Sequence, residues 1–66
     1  MSEEFNMSMR KFLKQVGVTS QQAIEEAMRK AGNEQTANKT FEAIVTLKIA
    51  DLELEHIVKG EISGDA

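Results

Sequence analysis

The sequence contains no cysteine, a single histidine and no long apolar run. Without cysteine the chain cannot form disulfide bonds, which fits a reducing compartment such as the cytoplasm. Dedicated zinc sites are built mainly from Cys and His, so this composition argues against one. No stretch approaches the ~18 apolar residues of a membrane span, and the N-terminus lacks the apolar run of a signal peptide. These absences predict a soluble cytoplasmic protein that carries no cofactor and contacts no membrane.

The length and charge of the chain limit the number of domains and the kinds of partner that it can have. Its 66 residues allow one small domain at most, which we expect to span 1–66 with a frayed tail at 63–66. Domains of this size are marginally stable alone and often depend on a partner chain. The formal net charge of −3, with 11 acidic and 8 basic residues, weighs against a nucleic-acid partner.

Residues 3–16 are predicted to form a first helix. Its apolar side chains recur at the spacing that places them on one side of an α-helix; they are Phe5, Met9, Phe12, Leu13 and Val16. Ser2 and Asn6 are alternative N-caps, and acids at positions 3 and 4 suit the positive end of the helix dipole. Gly17 follows the last periodic residue and is expected to end the helix in the left-handed conformation.

A second helix is predicted over residues 20–31. Thr19 is placed as its N-cap, with Gln22 three residues on to complete a capping box. The inner stripe consists of Ile24, Ala27, Met28 and Ala31. Gly32 ends this helix, and the pair would form a helical hairpin across a short turn. The polar residues 33–40 have no periodicity and are interpreted as a loop.

Two alternating runs, at about 41–49 and 53–62, predict an antiparallel β-hairpin. A two-residue loop would pair Ile49 with Leu52, whereas a four-residue loop would pair Ile49 with Leu54. Both registers place the apolar set on one face. The shorter loop gives two favourable charge pairs but requires positive φ at Ala50 and Asp51. We favour the longer loop. The predicted fold class is therefore α+β, in the order ααββ, with both helices on one face of the hairpin.

Two segments of the chain resemble a family of short bacterial proteins of unknown function. The first is FNMSMRKFLKQVGVTSQQAIE, residues 5–25, which is similar to the family pattern FNMSxRKFLKxVGVTSQxxIE. The second, residues 46–62, ends in EHIVKGEI and is similar to a family segment ending HxVxGEI. The resemblance implies that the chain is a complete protein. It implies no activity, cofactor or catalytic residue.

Self-association is the function class that the hairpin favours. Two strands leave two open edges, and an open edge can pair with another strand. Ile44 and Ile57 also lie on the face where polar side chains are expected, with Thr46 beside them. We predict a homodimer through a sheet edge or through this outer face, Ile44, Thr46 and Ile57, and an additional unknown protein partner is compatible with the same surface. The alternative explanation for the two isoleucines is the strand preference of β-branched residues.

The runner-up function is a nucleic-acid-associated regulator. Helix, Gly17 turn, helix and hairpin resemble a helix-turn-helix with a wing, whose second helix would enter the major groove. Arg10, Lys11 and Lys14 form a small basic patch that could meet an anionic partner. Glu25 and Glu26 on the second helix would repel phosphates. A solvated helix face is the simpler explanation of the basic patch.

His56 is the remaining candidate for chemistry. It lies on the apolar face of the second strand, and the sequence offers no second metal ligand or nucleophile on that face. A structural histidine at the sheet margin is the simpler explanation. Because no nucleophile, base and orienting group converge in the sequence, we expect a small interaction protein and not an enzyme.

Overall fold

The structure is a computed structural model that describes residues 2–64. The elements are helix α1 (Glu3–Ala31), helix α2 (Asn33–Thr36), strand β1 (Thr40–Ile49), a 3₁₀ turn (Ala50–Leu52) and strand β2 (Leu54–Ser63). The predicted α+β class and the order ααββ are confirmed, but the helices divide the chain differently from the prediction. The chain forms two compact units, one containing α1 and one beginning at Gly32, and each is described by itself.

The first unit is one continuous helix. α1 covers 29 residues, so the predicted helices at 3–16 and 20–31 are joined and no turn separates them. At its start the Phe5 amide donates a hydrogen bond to Ser2 Oγ at 3.1 Å. Of the two candidate caps, Ser2 is therefore the one used. Glu3 and Glu4 stand in the first turn and Arg29 and Lys30 in the last, which complements the helix dipole at both ends.

The helix end expected at Gly17 does not occur, because Thr19 and Gly17 are both tolerated inside a helix. Thr19, predicted as an N-cap, donates its hydroxyl to the Gln15 carbonyl oxygen at 2.8 Å. This back-bonding satisfies a threonine inside a helix and leaves the helical hydrogen bonds in place. A glycine inside a helix costs only about 0.5–1 kcal/mol relative to alanine. Gly17 therefore weakens α1 at this position without ending it.

The segment predicted as a loop, 33–40, contains the one-turn helix α2. Gly32, the residue before α2, has φ 88°, a conformation that favours glycine. Its carbonyl oxygen accepts hydrogen bonds from the Thr36 amide at 3.2 Å and from Thr36 Oγ1 at 3.1 Å. Thr36 is only 6% exposed. A helix of one turn is too short to produce a recognisable apolar period, which is why the sequence pattern missed it.

The hairpin has the longer of the two registers considered. Ile49 pairs with Leu54, and the ladder continues without interruption to Thr40 opposite Ser63. The connection is a 3₁₀ turn closed by Glu53 at φ 51°. One residue in the left-handed region thus replaces the two that the shorter loop requires. β2 begins one residue later than predicted, because Glu53 belongs to the turn.

The end of β2 is fixed to the segment before β1. Ser63 is the last residue of β2, and the Gly64 amide donates to the Lys39 carbonyl oxygen at 2.7 Å. Gly64 is buried, and a Cβ added there would overlap the Thr36 carbonyl oxygen. This hydrogen bond of Gly64 lies within the tail predicted to fray, residues 63–66, and the fraying itself stays a prediction. The last two residues of that tail, 65 and 66, lie outside the described residues.

Neither unit buries its own apolar side chains. Within residues 2–64 no hydrophobic side chain is buried, and the large ones that count as exposed range from 37% to 69% exposed. A lone helix cannot cover its own stripe, and two strands cannot cover their own face. No helix in the described part of the chain has the length and apolarity that crossing a bilayer requires.

Candidate interaction surface

The register assigns every hairpin residue to one of two faces. Directly paired residues share a face, and the faces alternate along each strand. The apolar face carries Phe41, Ala43, Val45, Leu47, Ile49, Leu54, His56, Val58, Gly60 and Ile62. The polar face carries Thr40, Glu42, Ile44, Thr46, Lys48, Glu55, Ile57, Lys59, Glu61 and Ser63. The apolar face is thus nearly continuous and open.

The structure brings the predicted partner surface together. Thr46 lies directly opposite Ile57, and Ile44 lies opposite Lys59. Ile44 is therefore the diagonal neighbour of Ile57 on the same face, within reach of its side chain. Ile44 is 56% exposed and Ile57 is 50% exposed. These residues form a small apolar island in the middle of the polar face, as the sequence pattern predicts; whether a partner covers it stays a prediction.

Charged residues border this island on both sides. The register places Lys48 opposite Glu55, which carry opposite charges, and Glu42 opposite Glu61, which carry like charges. Directly opposed like charges destabilise a sheet. Lys59, diagonal to Glu42, lines a shallow depression with both of these glutamates. The longer register, favoured from the sequence, places Glu42 opposite Glu61, whereas the shorter one would have placed it opposite Lys59.

His56 lies opposite Leu47 on the apolar face. Its neighbours along the strand on that face are Leu54 and Val58, which offer no ligand or proton acceptor. Among residues 2–64 no three His, Asp or Glu side chains group closely enough to hold a metal ion. The histidine therefore stands among hydrophobic side chains, and its structural role stays a prediction.

Arg10, Lys11 and Lys14 lie in the N-terminal half of α1 and are all exposed. Lys14 is one turn from Arg10 and three residues from Lys11, so the three charges share one side of the helix. The turn that would make α1 a helix-turn-helix is replaced by continuous helix. The groove-reading geometry behind the nucleic-acid alternative is therefore missing, and the basic patch itself stays a prediction.

Each strand of the hairpin has one strand neighbour and one open edge. The described sheet contains β1 and β2 alone. Both strands are 10 residues long, but β2 includes Gly60 and β1 has no glycine. An open edge displays unpaired backbone N–H and C=O groups that can hydrogen-bond to another strand. This unit therefore offers two surfaces to a partner: the strand edges, whose backbone groups can accept another strand, and the exposed apolar face.

These features define an α+β protein with one long helix and an open hairpin. The chain belongs to the family described as "Family of unknown function (DUF6494)", which matches residues 1–65. This confirms the resemblance to an uncharacterised family. No curated protein and no solved structure matches the chain.

Proposed function

We propose that this protein is a small, non-enzymatic, cytoplasmic interaction protein that acts as a homodimer. The observation that carries the proposal is a sheet of only two strands, each with an open edge, whose apolar-face side chains are partly or largely exposed in residues 2–64. A two-stranded hairpin is marginally stable in water, and independent stability needs either three or more strands with a hydrophobic face or packing against a helix. A second copy supplies those strands. The absence of cysteine supports a reducing compartment.

The non-enzymatic part of the proposal is supported by where the reactive side chains lie. His56 is on the apolar face, while the nearest charged residues of the hairpin, Lys48 and Glu55, are on the polar face. General acid–base catalysis needs a base within hydrogen-bond reach of a reacting group. No charged residue of β1 or β2 shares the apolar face with His56, so none is placed there to orient it as a base.

Sedimentation equilibrium over a hundredfold concentration range tests the dimer. We expect a mass twice the 7.3 kDa of the chain that persists into the low micromolar range. A single monomer mass at every concentration would overturn the proposal. The open edges would then have to serve a different molecule.

Nucleic-acid binding predicts a different result in a different experiment. The exposed patch of Arg10, Lys11 and Lys14 is its remaining support. We expect random-sequence duplex DNA at low salt to shift no backbone amide resonance, because the protein carries a net charge of −3. Salt-dependent shifts that disappear when the three basic residues are replaced by Gln would favour the alternative.

A further inference from the structure

We propose that the second copy binds along the open edge of β1, antiparallel, with Val45 opposite Val45 of the second copy. The inference rests on the proposed dimer and specifies its geometry. It predicts a four-stranded sheet in the order β2-β1-β1-β2. Three observations carry it: the open edge of β1, the placement of charges along that strand, and the alternation of large and small side chains.

Symmetry limits the choices to a few registers. Two identical chains related by a two-fold axis contact each other reciprocally, so if one residue faces another, the reverse contact also forms. For antiparallel strands this places one residue opposite its own copy. Paired residues then share a face, so the apolar faces of both hairpins lie on the same side of the joined sheet.

Centring β1 on Val45 pairs the whole stretch 41–49 with itself. Glu42 then lies opposite Lys48 of the second copy, and the symmetry repeats this favourable contact. Registers centred on Ile44 or Thr46 give no such pair, because Glu42 then faces Thr46 or Ala50. The charges along β1 therefore select one register.

Side-chain size agrees with the same register. Ala43 lies opposite Leu47 of the second copy, and Phe41 lies opposite Ile49. In its own hairpin Ala43 pairs with Gly60, where an added Cβ would find nothing within 4 Å. The small pair Ala43–Gly60 thus leaves space beside the large Leu47 of the second copy. Alternating large and small side chains of this kind pack well across neighbouring strands.

The open edge of β2 is less suited to the same arrangement. Centring β2 on Lys59 sets that lysine opposite its own copy. Centring it on Val58 gives an equally long overlap but sets Glu55 opposite Glu61 of the second copy, and symmetry repeats this repulsion. Centring it on Ile57 replaces that contact by Glu55 opposite Lys59, but then only residues 54–60 pair. A dimer through β1 has both a long paired stretch and opposite-charge pairs. A dimer through β2 has either the long stretch or the opposite-charge pairs, but not both.

The joined sheet also accounts for the like-charge contact in the hairpin. Within the hairpin, Glu42 is repelled by Glu61. In the dimer, attraction between Glu42 and Lys48 of the second copy offsets that repulsion. On the apolar face, Val58 and Val45 of each chain meet in one row of four valines. The dimer thereby meets the strand number that a stable sheet needs.

Single cysteines test this geometry cleanly, since the natural chain has none. The variants are Val45→Cys and, as the matched control, Val58→Cys. Val45 and Val58 are directly paired, share the apolar face and are 46% and 51% exposed. In the proposed dimer the two copies of residue 45 have Cα atoms about 4.5–5.5 Å apart, inside the range of about 4.4–6.8 Å that a disulfide spans. The two copies of residue 58 are three strand spacings apart, about 14 Å.

Each variant is oxidised at low micromolar concentration and resolved on a non-reducing gel, with the dimer mass measured in parallel by sedimentation under reducing conditions. We expect most of the Val45→Cys protein to migrate as a reducible dimer and the Val58→Cys protein to remain monomeric on the gel. Cross-linking through position 58 alone, through both positions, or through neither while the sedimenting dimer persists would overturn the β1 register and leave the proposed function standing. A natural protein that sediments as a monomer would overturn both.

Discussion

Glu42 lies directly opposite Glu61 on the polar face of the hairpin. We predict that Glu61→Lys stabilises the protein by about 0.2–1 kcal/mol, because it replaces a like-charge pair by an opposite-charge pair. Urea unfolding followed by circular dichroism measures the change. Glu55→Lys is the control, since it removes the favourable contact with Lys48 and should lower stability by a similar amount. Equal effects of the two substitutions would contradict this assignment of the register.

Exchanging the charges on β1 separates the hairpin from the dimer. In the proposed dimer Glu42→Lys places like charges opposite each other at two symmetric contacts, which should raise the dimer Kd by roughly tenfold. Within its own hairpin the same substitution relieves the contact with Glu61, so lost dimerisation cannot be attributed to unfolding. Sedimentation equilibrium gives the Kd.

The double variant E42K/K48E completes the exchange. It restores opposite charges across the dimer contact and leaves the hairpin with one favourable and one unfavourable charge pair, as in the natural chain. We expect its dimer Kd to return to within about threefold of the natural value, because the contact energies are restored in sign. A double variant that dimerises as weakly as Glu42→Lys would count against the Glu42–Lys48 contact.

Gly17 distinguishes a continuous helix from two helices joined by a turn. Inside α1 nothing lies within 4 Å of a Cβ added at this position. We therefore expect Gly17→Ala to stabilise α1 by about 0.5–1 kcal/mol, seen as higher helicity and a higher unfolding midpoint. Gly32→Ala is the comparison: at φ 88° an alanine is strained and should destabilise. A loss of helicity in Gly17→Ala would indicate that a left-handed glycine ends the helix there.

Gly64 is predicted to be intolerant of any side chain. A Cβ at this position overlaps the Thr36 carbonyl oxygen, whereas at Gly60 it finds nothing within 4 Å. We expect Gly64→Ala to cost about 1–3 kcal/mol, because the backbone must move to accept the extra methyl group. Gly60→Ala should be neutral or slightly stabilising, since glycine inside a strand is unfavourable. Thermal unfolding of both variants tests the difference, and equal midpoints would contradict it.

The hairpin could be predicted because its signals are local and redundant. Alternation fixes the faces in any register that pairs the two runs correctly, so the grouping of Ile44, Thr46 and Ile57 does not depend on loop length. The contact of Glu42 with Glu61 does depend on it. The sequence favours the longer loop but leaves the shorter one open, and the turn that closes on Glu53 decides between them.

The sequence predicts two helices where the structure has one, because the local signals at Gly17 and Thr19 were given more weight than the helical periodicity that continues across them. Gly17 and Thr19 are typical of a helix end and a helix start, but each is also tolerated inside a helix. The helical phase carries the better information, since Val16, Ser20, Ala23 and Ala27 follow one another at steps of four, three and four. A real turn would usually shift that phase. The approach of Gly64 to Thr36 depends on tertiary contact, which no local pattern encodes.

The hydrogen bonds around Thr36 and Gly64 have a consequence for hydrogen exchange. A hairpin ladder normally opens from the end away from its turn, so the amides there exchange with solvent first. Here that end is closed by the bond from the Gly64 amide to Lys39, and the other end is closed by the 3₁₀ turn. Neither end of the β1–β2 hydrogen-bond ladder is therefore free to fray. The slow exchange expected of the Gly64 amide makes it a direct reporter of whether the base of the hairpin is intact.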